Sequence, residues 1–243
     1  MTLADILCPE CALFLDFDGT LVEIAAHPEA VVVPRGLVGT LGRMQRWLGG
    51  AAAVVSGRSI AQIDRFLDPL VLCVAGVHGA ERRRSDGSMA WRAVPPLQAV
   101  EDAASELVRS YPALRLETKR GSLALHYRQA PELEPLCLEA LTAAIARSPG
   151  LALLRGKMVV EAKPAGVSKG EAIEAFLEEP PFAGRLPVFI GDDVTDEAGF
   201  AAVQARGGLA VKVGEGLTSA SQRLANPMAM REALERALAR QTR

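Results

Sequence analysis

The sequence predicts an α/β protein: a parallel sheet covered by helices on both faces, with a smaller α+β block inserted into it. Three observations carry this. Short apolar runs such as Ala12-Leu13-Phe14-Leu15 recur without polar alternation, as strands buried on both faces require. Most of these runs are followed by a helical pattern, the alternation that builds parallel sheets. Between residues 81 and 163 the order changes to paired strands with short links, which favour antiparallel hairpins.

The elements follow in order. A first strand is expected over 11–15 and a helix over 35–48. A second strand over 51–55 leads to a helix over 60–67 and a third strand over 71–75. The inserted block reads as strand 89–92, helix 97–109, strands 115–118 and 122–128, helix 132–147, and strands 152–155 and 158–162. Its hairpin links are Arg120-Gly121 and Gly156-Lys157. The parallel pattern then resumes with helix 169–177, strand 187–190, helix 196–204, strand 209–213 and a terminal helix over 229–240. The expected division is therefore a core of 1–80 with 164–243, and an insert of 81–163.

Composition narrows the function. Of 243 residues, 49% are hydrophobic and 23% charged, enough to bury a full core. Lys plus Arg number 27 against 29 for Asp plus Glu, a net charge of −2 that offers nothing to attract nucleic acid or an anionic membrane. No apolar run has the length of a membrane helix, and the first ten residues lack the basic lead of a signal peptide. Four cysteines, Cys8, Cys11, Cys73 and Cys137, suit a reducing cytoplasm, and a monomer is the default. Cys8-Pro9-Glu10-Cys11 has C-x-x-C spacing, but zinc would need a second such pair. A redox dithiol should open a helix, whereas this one runs into a strand, so the spacing reads as coincidence.

The chemistry concentrates in four segments. Phe14-Leu15-Asp16-Phe17-Asp18-Gly19-Thr20 ends an apolar strand in two carboxylates, at the carboxyl edge where open α/β sheets bind ligands. A hard divalent cation, Mg2+ where phosphate is also bound, is their natural counter-charge. Asp16 could attack phosphorus and Asp18 act as general acid and base. Ser56-Gly57-Arg58-Ser59 ends the second strand; Ser56 offers a hydroxyl, Gly57 lets backbone N–H groups approach an anion, and Ser59 with Gln62 has capping-box spacing. Arg58 either contacts substrate or braces the loop. Ser168 and Glu171 repeat the capping pattern and put Lys169 in a first helical turn, where a phosphoryl group and Asp16 would justify a cation. Gly191-Asp192-Asp193-Val194-Thr195-Asp196-Glu197 supplies four further acids. Asp192 is placed to join Asp16 and the Asp18 carbonyl around Mg2+, with Asp193 and Asp196 behind them.

In this order and spacing the four segments resemble the motifs of the haloacid-dehalogenase-like phosphatases. The resemblance implies a Rossmann-like core with an inserted cap, Asp16 as nucleophile, Asp18 as acid/base, Ser56 and Lys169 on the phosphoryl group, and Asp192 on Mg2+. Further segments, Ala75-Gly76-Val77-His78-Gly79-Ala80-Glu81, Ser122-Leu123-Ala124-Leu125-His126-Tyr127-Arg128 and Gly156-Lys157-Met158-Val159-Val160-Glu161, are similar to the trehalose-6-phosphate phosphatase family. That likeness implies a cap closing over trehalose 6-phosphate, with Glu117, Lys119, Arg128, Lys157 and Glu161 on its glucose rings. Without the resemblance, the same charges read as cross-strand ion pairs on a solvated sheet. Val159 stands where that family often has asparagine. His78 and His126 are expected as buried, hydrogen-bonded residues rather than catalytic ones. The alternatives are another capped sugar phosphatase, acting on sucrose phosphate or a glycosyl-glycerate phosphate, or a non-catalytic sugar-phosphate sensor.

Overall fold

The structure is a computed structural model that describes residues 3–93, 95–119 and 121–240, with Lys119 described in its backbone alone. The chain opens with α1 (Leu3–Ile6), β1 (Cys11–Leu15), α2 (Leu37–Trp47), β2 (Ala52–Val55), α3 (Ile60–Leu67), β3 (Cys73–Gly76), β4 (Glu81–Arg83) and β5 (Met89–Trp91). It continues through α4 (Gln98–Ser110), β6 (Arg115–Lys119), β7 (Ser122–His126), α5 (Glu134–Ile145), β8 (Leu151–Gly156) and β9 (Val159–Pro164). It closes with α6 (Lys169–Leu177), β10 (Leu186–Gly191), α7 (Glu197–Ala205), β11 (Leu209–Val213), β12 (Gln222–Leu224) and α8 (Pro227–Ala239). Two compact units result, Met1–Ala90 with Ser168–Arg243, and Trp91–Val167.

The first unit is built on an eight-stranded sheet in the order β12-β11-β10-β1-β2-β3-β4-β5. Strands β12 to β3 run parallel. β1 is central: Leu15 sits opposite Ile190 on one side and Val54 on the other. All five of its residues are buried, which is why the run carries no polar position. Phe14, Phe176 and Phe182 pack on one another beneath it, with ring centroids 5.0 to 6.0 Å apart. Such aromatic contacts add to the burial that holds helices on a sheet.

Strand 89–92, expected in the insert, instead extends the first sheet through β4, which pairs antiparallel with β3. The physical cause lies in distant partners. Arg83 makes a two-pronged ion pair with Asp64 of α3, both bonds 2.7 Å, and Glu81 accepts the Ile60 N–H at 2.6 Å. These groups tie β4 to the start and body of α3. The parallel edge strand β12 had no counterpart in the sequence reading.

The second unit is a four-stranded antiparallel sheet in the order β6-β7-β9-β8. Its apolar face, with Leu123, Leu125, Val160 and Ala162, shares one buried cluster with Val100 and Ala104 of α4 and Leu141 and Ala144 of α5. The register places Glu117 opposite Ala124, and Ala124 opposite Glu161. Both glutamates therefore stand on the other, polar face with Ser122, His126 and Lys163. Among the described residues no helix is long and apolar enough to cross a membrane.

Candidate active site

Asp16, Ser56 and Gly191 mark the carboxyl ends of three adjacent parallel strands, β1, β2 and β10, so register alone brings their loops to one edge. Asp16 is 4% exposed, and its N–H continues the ladder to the Ile190 carbonyl at 2.9 Å. Ser168 caps α6 by accepting the Glu171 N–H at 3.1 Å, which fixes Lys169 at the first helical position. From there the Lys169 ammonium donates to Asp16 Oδ1 at 2.7 Å and to Asp196 Oδ1 at 2.6 Å. Asp196 is fully buried, and its Oδ2 accepts the backbone N–H groups of Asp192 and Asp193, each at 2.9 Å. One carboxylate thus ties the lysine to the loop that carries Asp192. Asp193 turns away from the cluster to accept the Val194 N–H at 2.8 Å.

Two glycines make room for these acids. Gly19 has φ +78°, and a Cβ there would lie 2.1 Å from Asp192 Oδ2. At Gly191 a Cβ would lie 2.3 Å from Asp196 Cγ. Thr20 donates to Asp192 Oδ1 at 3.5 Å, and Lys212 Nζ donates to the Asp192 carbonyl. The carboxylate is thereby held from one side and its backbone from the other.

Oxygens of Asp16, Asp192 and Asp196 lie within 4.8 Å of one another. Burial raises Asp16 well above the usual carboxylate range, and Lys169 only partly offsets it. Burial, with repulsion from Asp196, lifts Asp192 to about 6. For Lys169, burial acts to weaken the ammonium, but Asp16 and Asp196 outweigh it and drive its pKa upward. Two buried carboxylates, Asp16 and Asp196, and the half-buried Asp192 surround this ammonium, an arrangement that leaves negative charge in excess and offers hard oxygen donors. The donor set fits a divalent hard cation. Asp196 enters the cluster alongside Asp16 and Asp192, although both its oxygens already accept hydrogen bonds. The Asp18 side chain points elsewhere.

Asp18 accepts a two-pronged pair from Arg58, Nε to Oδ2 at 2.6 Å and Nη2 to Oδ1 at 2.7 Å. Arg58 also donates to the Pro28 carbonyl at 2.9 Å and lies over the rings of Phe17 and Phe66. It braces the loop through three elements at once. Ser56 is buried, its hydroxyl accepting the Arg58 N–H at 3.2 Å. A Cβ at Gly57 would lie 2.7 Å from the His78 ring. Val77 and His78 both take positive φ, 48° and 56°, a costly pair for non-glycine residues. The His78 N–H donates to the Ser56 carbonyl at 2.9 Å, so this turn buttresses the Ser56 loop.

In the second unit, Glu117 accepts from His126 Nε2 at 3.0 Å and Glu161 accepts the Ser122 hydroxyl at 2.6 Å. Lys157 is exposed in the β8–β9 turn, where Met158 has φ +64°. That left-handed residue breaks strand alternation, so spacing from Glu161 does not assign Lys157 a face. Arg128 reaches the Lys157 carbonyl at 3.5 Å. The Lys119 side chain lies outside the described residues.

Sequence reasoning passed over Lys212 and Glu81. Lys212 is buried inside the apolar run Leu209-Ala210-Val211-Lys212-Val213, and a charged residue in such a strand needs a partner. That interruption was the available signal. Glu81 had none, because its partner at Ile60 is set by the β3–β4 pairing.

Comparison with known proteins gives four findings. The trehalose-phosphatase family model matches residues 14–228. The chain is 46% identical over 222 residues to the trehalose-6-phosphate phosphatase of Escherichia coli K12, covering 90% of this chain and 83% of that protein. A solved trehalose-6-phosphate phosphatase related protein superposes with TM-score 0.75 at 30% identity, covering 95% of this chain and 99% of the other. BT1666 from Bacteroides thetaiotaomicron, a phosphatase of the haloalkanoate (HAD) superfamily, superposes with TM-score 0.64 at 18% identity over 93% and 94% of the two chains, a likeness of fold alone.

Proposed function

The chain belongs to the trehalose-phosphatase family, and on that footing we propose that it hydrolyses trehalose 6-phosphate to trehalose and phosphate through an aspartyl-phosphate intermediate at Asp16. The observation that carries the reading is the Asp16–Lys169–Asp196 chain beside Asp192, buried at the carboxyl ends of β1 and β10. When bound there, Mg2+ would neutralise phosphoryl charge and the excess of carboxylates, held by Asp16, Asp192 and the Asp18 carbonyl.

Asp16 attacks phosphorus and the bond to the sugar oxygen breaks. Lys169 and the Ser56 hydroxyl hold the phosphoryl oxygens, and the ammonium keeps Asp16 aimed. Asp18 gives its proton to the departing sugar oxygen, then takes one from the water that cleaves the acyl phosphate. Both Asp18 oxygens are engaged by Arg58, so the side chain has to rotate off the guanidinium to reach the sugar. Gly57 keeps the Ser56 loop open to the phosphoryl group, and Asp193 and Asp196 shape the Asp192 loop.

The sugar is read by Glu117, Lys119, Arg128, Lys157 and Glu161 of the second unit. Glu117 and Glu161 sharing one polar face supports their part in this, since carboxylates accept from hydroxyls. The reading includes a monomer acting in the cytoplasm, a reducing compartment that suits its four free thiols. The test is Mg2+-dependent phosphate release from trehalose 6-phosphate, sucrose 6-phosphate, glucose 6-phosphate and p-nitrophenyl phosphate, with Asp16→Asn as control. Selective release from the trehalose ester supports the reading. Preference for another ester replaces the substrate, and activity surviving in Asp16→Asn removes the mechanism.

A further inference from the structure

The N-terminal turn brings Cys8 and Cys11 into direct contact, sulfur to sulfur at 3.4 Å, in a part of the fold that the hydrolytic site does not use. Pro9 and Glu10 form the turn between them, closed by the Cys11 N–H donating to the Cys8 carbonyl at 3.0 Å. A four-residue turn of this kind holds its outer Cα atoms within about 7 Å. A disulfide spans about 4.4–6.8 Å between Cα atoms, so the backbone is already shaped for one. The turn is also braced from outside: Arg185 donates to the Pro9 carbonyl at 2.6 Å and Leu186 N–H to the Glu10 carbonyl at 3.1 Å.

We propose that Cys8 and Cys11 are a reversible oxidation site, closing to an internal disulfide when a peroxide reaches the Cys8 thiol. The two sulfurs divide the work by access. Cys8 is half-buried and open to a small oxidant, while Cys11 is wholly buried on β1. Burial closes Cys11 to bulk reagent and pushes its thiol up to about 11, so it reacts only with the Cys8 sulfur already in contact with it, giving up its proton in that step. Cys8 sulfur attacks one peroxide oxygen, the O–O bond breaks, and a sulfenic acid and one water result. Cys11 sulfur then attacks Cys8 sulfur, the S–O bond breaks, and the oxygen leaves with the Cys11 proton as a second water. Each sulfur gives up one electron and the peroxide takes two. A dithiol reductant reverses the bond. Cys73 and Cys137 are buried on β3 and α5 and take no part. The disulfide fastens the segment carrying α1, which packs on α8, directly to the start of the strand that ends at Asp16.

The native chain, treated with equimolar hydrogen peroxide, quenched in acid and then alkylated with iodoacetamide after unfolding, tests this. The tryptic peptide ending at Arg35 carries both cysteines. It is expected to lose two hydrogens and resist alkylation, while Cys73 and Cys137 are alkylated; dithiothreitol should restore both thiols. In Cys11→Ala the Cys8 sulfenic acid should persist and be trapped by dimedone, and in Cys8→Ala Cys11 should remain reduced. Oxidation of Cys8 that leaves Cys11 open to alkylation, or equal oxidation at all four cysteines, would overturn the proposal.

Discussion

Gly19 and Asp192 approach so closely that a single methyl group on the first would lie 2.1 Å from a carboxylate oxygen of the second. The glycine also sits at φ +78°, where an L side chain is strained. Gly19→Ala is therefore expected to displace Asp192 while the sheet beneath it persists. A misplacement of about 1 Å at a reacting centre can cost about 100-fold. Trehalose 6-phosphate turnover should fall by about that factor or more, with an unchanged circular dichroism spectrum; near-normal rates would contradict the packing.

Asp196 is the second anchor of the Lys169 ammonium and the acceptor for two backbone N–H groups. Asp196→Asn leaves a buried cation short of a partner and turns an amide toward it. Breaking a buried pair costs about 3–5 kcal/mol. Urea unfolding of the variant should show a loss of that order together with a loss of activity, whereas a surface-like change below about 0.5 kcal/mol would refute the assignment.

Lys212 touches no reacting atom yet holds the Asp192 carbonyl. Removing an outer partner of a metal ligand commonly weakens metal affinity about 10–100-fold. Lys212→Met should raise the Mg2+ concentration needed for half-maximal activity by about tenfold. Mn2+ binding followed by electron paramagnetic resonance should weaken in parallel, a signal that a purely structural lysine would leave alone.

The Cys73 thiol is buried on β3, and burial pushes its pKa from 9.0 to about 11. In this window the unfolded chain has lost the proton and the folded chain keeps it. Stability from this group is thus complete below pH 9 and falls as pH rises to about 11, by about 3 kcal/mol at 1.36 kcal/mol per unit. Urea midpoints across pH 8 to 11 should drop less steeply in Cys73→Ala than in the wild type. Identical slopes would show that the thiol ionises freely.

Five strands of the parallel sheet were legible because their runs are apolar, with Lys212 the one polar interruption, and the caps of α3 and α6 because Ser59 and Ser168 stand three residues before Gln62 and Glu171. Those signals act within a turn or a strand. The place of β4 and β5 in the first sheet was not legible, since it depends on Arg83 meeting Asp64 and Glu81 meeting Ile60. Likewise the face of Lys157 depends on a left-handed Met158, which no period reveals. The contact between Cys8 and Cys11 was legible as spacing but not as chemistry, because access and burial come from the packed chain.

The sequence by itself determined the residue types that carry the chemistry and the elements that present them: Asp16 and Asp18 after one apolar strand, Ser56 and Asp192 after two others, and Lys169 at a helix start. Only the tertiary structure decided their partners. Lys169 meets Asp16 across 153 positions and Asp196 across 27, and Asp18 is claimed by Arg58 across 40. Local periodicity and capping are short-range forces along the chain, whereas strand order in the sheet sets which loops share an edge. Once those loops converge, burial and charge excess arise from the group as a whole, and no single segment of sequence contains them.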